Sequence, residues 1–336
     1  MLCEDIHSAL SSLLVRYDSD QIVVVCDAHI RLETAYPTLR LTVNEQKKNL
    51  DTVTRIWDFL FEHAITRKGI VIAVGGGVLT DIVGFAAATY KRGVDYINVP
   101  TSLLAMVDAS SGGKTGINYH GLKNAIGAFA HPVETLIWPQ WLQTLPAKEF
   151  LSGFGEMMKT GLLESAPLRV NNERLWDRLL QYDLDSMNVE KLTSLIAQCV
   201  RIKKHIVDSD SQEKGPRKAL NLGHTFGHAL EEISGMLHGY AVVYGLIAEL
   251  YLSITRLGCP QKPLQQLTQI MLQYYGKPVC KCSDRSQLIQ FMHQDKKNER
   301  TAEINCTLVR DIGSPATNQI ISEREANEAL EYLFSL

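Results

Sequence analysis

The stretch GIVIAVGGGVLTDIVGFAAATY, from Gly69 to Tyr90, decides the fold. Ile70 to Val74 is an unbroken apolar run, Gly75-Gly76-Gly77 interrupts it, and from Val78 onward apolar residues return at helical spacing to about Tyr90. A strand buried on both faces reads as a continuous apolar run, so this is a parallel-sheet strand, a glycine turn and a helix. Such a turn lets backbone N–H groups approach a pyrophosphate and meet it with the positive end of the helix dipole. The spacing is not G-x-G-x-x-G, and glycines at a tight turn also serve structure alone. Working outward, IVVVC from Ile22, DYINVP from Asp95 and ETLIW from Glu134 alternate with helix-period stretches. That alternation predicts an α/β domain with crossover helices. Beyond Leu145-Pro146 long amphipathic stretches take over, at Ala147 to Leu163, Val189 to Val207, Leu220 to Ile233 and Ala241 to Leu257. A strand-like pair, EINCTLV and NQIIS, then precedes a terminal helix from about Glu323 to Phe334. With 336 residues, 45% hydrophobic and 21% charged, the chain fits two domains, residues 1–146 and 147–336. Ligand sites favour the C-terminal ends of parallel strands where a second domain covers them, so the chemistry is expected at that junction.

The formal net charge of -3 offers no broad positive field for nucleic acid. No segment reads as apolar enough, at sufficient length, for a bilayer span. The N-terminal MLCEDIHSALSSLLVRYDSD carries acids by position four, unlike a signal peptide. Seven scattered cysteines point to reduced thiols and a cytoplasmic protein. Cys280 and Cys282 form a C-x-C without a second pair and are expected to be structural.

Two further stretches carry chemistry. In VDASSGGKTGINYHGLKNAIGAF, residues 107–129, Lys114 and Lys123 bracket a loop rich in glycine, with Asp108, Asn118 and Asn124 among small residues. Close backbone approach and two ammonium groups suit a phosphate or carboxylate. Glu156 in GFGEMMK, His224 and His228 in LNLGHTFGHALEE, and His238 in MLHGYAV are candidate metal ligands. His224 and His228 share a helical face at i and i+4, and Gly235 lets the chain turn His238 back toward it. Such a pair alone is more often an ordinary polar face, but a carboxylate and a third histidine suit Zn2+ with open positions. Lys159, Lys203, Arg217 and Asn221 add a cationic, polar surround for an anionic substrate.

GGGVLTDIVGFAAATYKRGVDYINVPTSLLAMVDASSGGKTGIN, LKNAIGAF, GEMMK, RKALNLGHTFGHA, LHGYAV and, at 295–298, DKKN resemble, in this order, the motif series of the 3-dehydroquinate synthase family. The resemblance is strongest from Val74 to Gly245. It implies a Rossmann-like NAD-binding domain followed by a mostly α-helical domain holding Zn2+ or Co2+. The implied reaction turns 3-deoxy-D-arabino-heptulosonate 7-phosphate into 3-dehydroquinate and phosphate in the shikimate pathway. Its steps are transient oxidation by NAD+, phosphate elimination, re-reduction and intramolecular aldol closure.

Carried over by motif, the metal ligands are Glu156, His224 and His238, with His228 near the phosphate. Asp108, Lys114, Asn124, Lys159, Lys203, Glu213, Arg217 and Asn221 line the substrate pocket, completed by Lys296 or Lys297. NAD contacts fall on Asp27, Glu45, Lys48, Gly76, Gly77, Val78, Asp81, Thr101, Ser102, Leu104, Asp108, Lys123 and Thr144. The resemblance also implies a homodimer in which Arg92 reaches the partner's substrate phosphate. Tyr240 replaces a usual glutamate, and Thr80, Ser102 and His29 depart from the family pattern. Competing readings are another sugar phosphate cyclase, a metal-dependent polyol dehydrogenase, which would lack the paired-lysine stretch and release NADH, and a silent NAD-binding scaffold.

Overall fold

The computed structural model describes residues 1–278, 284–294 and 303–336, which fall into two units, Met1–Leu145 and Pro146–Leu336. Cys280, Cys282, Lys296 and Lys297 lie outside the described residues. The first unit runs α1 (Ile6–Leu14), β1 (Ile22–Asp27), β2 (Thr38–Leu41), α2 (Leu50–Glu62), β3 (Ile70–Gly75), α3 (Gly77–Thr89) and β4 (Asp95–Pro100). A hairpin, β5 (Lys114–Tyr119) and β6 (Leu122–Phe129), and a two-residue strand, β7 (Glu134–Thr135), complete it.

The sheet is parallel, in the order β2-β1-β3-β4-β7. Strand periodicity splits each apolar run between two cores. Val23, Val25, Val71 and Ala73 pack with Val53, Ile56 and Leu60 of α2 and Leu79, Ile82 and Val83 of α3. Val24, Cys26, Ile70, Ile72 and Val74 pack instead with Ile6 and Leu14 of α1. From β1 the chain winds outward to β2 and then returns to β3 on the other side of β1, which makes the gap between β1 and β3 the topological switch point. Asp27 ends one of these strands and Gly75 the other.

The second unit comprises α4 (Ala147–Leu163), α5 (Leu175–Leu180), α6 (Val189–Ser209), α7 (His224–Ser234), α8 (His238–Leu257), α9 (Lys262–Ile270) and α10 (Arg285–Gln294). Hairpin β8 (Ile304–Asp311) and β9 (Ser314–Ile321) and helix α11 (Glu323–Ser335) close it. Helix α8 is the hub, packing against α4, α7, α9, α11 and β8. Asn188 caps α6 through the N–H of Lys191, and Ser322 with Glu325 forms a reciprocal capping box on α11.

Several expectations change. Residues 107–129 are a five-residue π-helical turn, Ala105–Ala109, followed by the β5–β6 hairpin, instead of a loop. The helix expected from Leu220 starts at His224, because left-handed Gly223 (φ 81°) separates it from a 3₁₀ turn, Pro216–Asn221. The next helix starts at His238, three residues before its expected origin. Strand β2 was not foreseen, being four residues long with a single buried side chain. The expectation that no segment is long and apolar enough for a bilayer fails for His238–Leu257, whose best window reaches a mean hydropathy of 1.2. Two-thirds of that window is buried inside the unit, as befits a core helix.

Candidate active site

In the first unit the glycine turn is crowded at Gly77 and open at Gly76. Helix α3 begins at Gly77 with no side-chain cap on Gly76, so the N–H groups of its first turn are available to a ligand. A Cβ on Gly77 would stand 2.8 Å from Cβ of Ala109, whereas one on Gly76 would meet only Ser102 Oγ at 3.5 Å. The N–H of Thr101 donates to Gly75 O at 3.0 Å, bringing Thr101 and Ser102 beside the turn.

A polar cluster lies alongside. Lys48, almost wholly buried, donates from Nζ to Asp81 Oδ2 and to Asn124 Oδ1, each at 2.6 Å. Asn118 donates to Glu45 Oε1 at 2.8 Å and accepts from the N–H of left-handed Asn124 at 2.8 Å. Glu45, Lys48, Asp81 and Asn124, singled out in sequence, are thus held together. At the end of β1, Asp27 Oδ1 accepts from the N–H of His29 and meets its ring Nδ1, both at 2.9 Å, so the atypical His29 orients Asp27. Thr144 ends a 3₁₀ turn, and its hydroxyl donates to Trp141 O.

Lys114 and Lys123 stand at opposite ends of the β5–β6 hairpin. Lys114 pairs with Phe129 at the open end of the hairpin, while Lys123 follows Leu122 at the closed end, opposite Tyr119. About five strand residues, some 15 Å along the hairpin, separate the two levels.

In the second unit, glycines bring the polar residues together. A Cβ on Gly239 would lie 1.7 Å from Ser152 O, and one on Gly155 2.4 Å from Gly239 O. Helices α4 and α8 therefore touch backbone to backbone. Glu156 follows one of these glycines and His238 precedes the other. Gly245 does the same for α7, since its Cβ would stand 1.9 Å from Gly223 O, next to His224.

Glu156, with no exposed surface, is the centre of the cluster. Its Oε1 lies 3.1 Å from His238 Nε2 and 3.5 Å from His224 Nε2, and its Oε2 lies 2.6 Å from Lys159 Nζ. Donor atoms of Glu156, His224 and His238 all lie within 4.8 Å of one another. Ligands about 2.1 Å from a tetrahedral Zn2+ stand about 3.4 Å apart, so this donor set fits such an ion. His224 Nδ1 meets Leu222 O and His238 Nδ1 meets Glu231 Oε2, both at 3.0 Å, which turns each Nε2 toward Glu156. Burial works against a proton on His238, but hydrogen bonds to Glu156 and Glu231 outweigh it and raise its pKa to about 10. His228 stands beside the cluster, its ring 5.1 Å from that of His224 and 6.1 Å from that of His238.

The cationic surround is buried as well, at Lys159, Lys203 and Arg217. The Asp210 carboxylate accepts from the N–H groups of Lys214, Gly215 and Arg217, which shapes the loop before the 3₁₀ turn. Asn221 Nδ2 donates to Glu213 Oε1 at 2.8 Å. Sequence reasoning missed Glu231, Asp210 and Glu249. Glu231 was detectable, lying three residues after His228 and seven after His224 on one helical face. Asp210 and Glu249 act on backbone N–H groups and leave no such spacing signal.

A parallel-sheet unit with a bare glycine turn is followed by a helical unit whose carboxylate and two histidines could hold a metal ion, an arrangement whose fold recurs among solved two-domain proteins. An iron-containing alcohol dehydrogenase from Thermococcus thioreducens shares the fold, at 11% identity and a TM-score of 0.73, covering 100% of this chain and 97% of that one. The 2-epi-5-epi-valiolone synthase of Streptomyces hygroscopicus, solved with NAD+ and Zn2+ bound, is more similar, at 25% identity and a TM-score of 0.84. That match covers 100% of this chain and 96% of the synthase. The family models for the 3-dehydroquinate synthase N-terminal and C-terminal domains match residues 38–152 and 153–298. A 3-dehydroquinate synthase of Parabacteroides distasonis is 36% identical over 349 aligned positions, spanning 99% of this chain and 96% of the relative. The chain belongs to the 3-dehydroquinate synthase family.

Proposed function

We propose that the chain converts 3-deoxy-D-arabino-heptulosonate 7-phosphate to 3-dehydroquinate and phosphate, using NAD+ bound by the first unit and Zn2+ or Co2+ bound by Glu156, His224 and His238. The observation that carries the reading is the buried Glu156, with two imidazoles on one oxygen and the Lys159 ammonium on the other. When bound, NAD supplies a reversible hydride acceptor and the metal a Lewis acid for the hydroxyl being oxidised. Lys159, Lys203 and Arg217 present positive charge to the substrate's carboxylate and phosphate. Asn221, aligned by Glu213, offers a fixed amide to a hydroxyl. His228, beside the metal ligands, is suited to hold a proton near the leaving phosphate. Lys114, Asn124 and Asp108 complete the substrate contacts. Glu45, Lys48, Asp81, Lys123, Asp27, Thr144 and the Gly76–Gly77–Val78 and Thr101–Ser102–Leu104 segments hold the dinucleotide. The five described cysteines are free thiols, which supports a reducing compartment such as the cytoplasm.

NAD acts catalytically in this reading, so one equivalent supports many turnovers with no build-up of NADH absorbance. Stoichiometric NADH would move the protein to the dehydrogenases that share its fold.

The proposal includes a homodimer. Leu122, Ile126 and Phe129 are exposed apolar residues on β6, whose only partner strand among the described residues is β5. Lys91 and Arg92 both adopt left-handed conformations before Gly93, forming a stiff turn that carries the exposed Arg92. With Arg92 acting on the partner's substrate, co-refolded Arg92→Ala and Lys159→Ala chains recover roughly a quarter of wild-type activity, because about half the dimers carry one intact site. Mixed dimers as inactive as their parents would remove Arg92 from that role.

A further inference from the structure

We propose that Glu249, in the middle of α8, is a positioning residue that fixes how His224 faces the metal; the inference rests on the metal reading above. Its side chain has no exposed surface and reaches both neighbours of His224. Oε2 accepts from the N–H of Gly223 at 2.6 Å, and Oε1 from the N–H of Thr225 at 3.2 Å. Buried carboxylates are unfavourable unless strongly hydrogen bonded, and the N–H groups at a helix start lack partners within the helix. Gly223, the residue before α7, has no side chain with which to cap it. A carboxylate from a neighbouring helix therefore replaces the cap, at the positive end of the α7 dipole.

The consequence is directional. With Gly223 and Thr225 clamped, the backbone of His224 is fixed on both sides, and Leu222 O lies 3.0 Å from its Nδ1. That contact leaves Nε2 facing Glu156. Gly245, one turn before Glu249 on α8, allows the approach by leaving room for Gly223 O, and Thr225 Oγ1 adds a tether to Asn305 O of β8 at 2.9 Å. Glu249 thus acts on metal geometry through the backbone of a ligand.

The test is Co2+ titration of metal-free wild type, Glu249→Gln, Glu249→Ala, His224→Ala and the Glu249→Gln/His224→Ala double variant. Visible absorption of bound Co2+ reports coordination, and thermal unfolding of the metal-free proteins reports fold. Glutamine keeps the size and one acceptor oxygen but turns an NH2 toward the second donor. Affinity should fall roughly tenfold in Glu249→Gln and approach a hundredfold loss in Glu249→Ala, with a shifted absorption band. In the His224→Ala background, adding Glu249→Gln should change the residual affinity less than twofold, because the effect passes through His224. Wild-type affinity and spectrum in Glu249→Gln would overturn the inference, as would a full tenfold loss persisting without His224. Should the glutamine and alanine variants not fold, Glu249→Asp keeps the charge on a shorter arm, and an unaltered Co2+ spectrum there would overturn it equally. Wild type that binds no Co2+ would instead sink the metal reading itself.

Discussion

The glycine turn of the first unit and the histidine cluster of the second are built by opposite means. At Gly76 and Gly77 the ligand surface is backbone, kept bare by the absence of side chains. At Glu156, His224 and His238 it is side chain, aligned by Glu231 and by the Leu222 carbonyl. The first kind of site is sensitive to added atoms. The second is sensitive to any lost ligand, because a three-residue donor set has no spare member.

The largest expected effect lies in the second unit. Glu156→Gln, His224→Ala and His238→Ala should each weaken metal binding and lower turnover by about a thousandfold or more. His228→Ala should keep its metal. Elemental analysis of purified variants checks this, and a metal-free His228→Ala beside a loaded His238→Ala would reverse the assignment.

Glycine substitutions sharpen the contrast. Gly239→Ala places a methyl 1.7 Å from Ser152 O, backbone that cannot step aside, so α4 and α8 must part. A loss of about 3 kcal/mol, measured by denaturant unfolding, and weaker metal binding should follow together. Gly76→Ala makes only an ordinary contact with Ser102 Oγ, at 3.5 Å, and a φ of -73° is one alanine adopts freely. Its stability should stay within about 0.5 kcal/mol of wild type while NAD+ affinity, read by fluorescence titration, falls. Equal stability losses in the two variants would erase the distinction.

How much of this was legible in the sequence follows from the same contrast. The sheet could be read because β1 and β3 are buried on both faces and spell continuous apolar runs. His224 and His228 could be read as a pair from their i, i+4 spacing, with Gly235 allowing His238 to return, but the choice of Glu156, His224 and His238 over His228 came only from the family resemblance. The Lys48–Asp81–Asn124 cluster could not be derived from spacing, since its members lie 33 and 76 residues apart from Lys48 and meet only through the fold. The hairpin was hidden because its outer strand, LKNAIGAF, has a mostly exposed surface and two small-residue interruptions, so no period of two marks it. Glu249 was hidden inside a core helix, where its carboxylate serves backbone groups that sequence does not reveal.

Metal- and NAD-dependent phosphate elimination from the heptulosonate phosphate can be followed by measuring phosphate release. With NAD+ and Zn2+ or Co2+ present, release should proceed over many turnovers, stop on adding chelator and resume when metal is restored. No phosphate release from that substrate, with metal and NAD+ both bound to the folded protein, would contradict it.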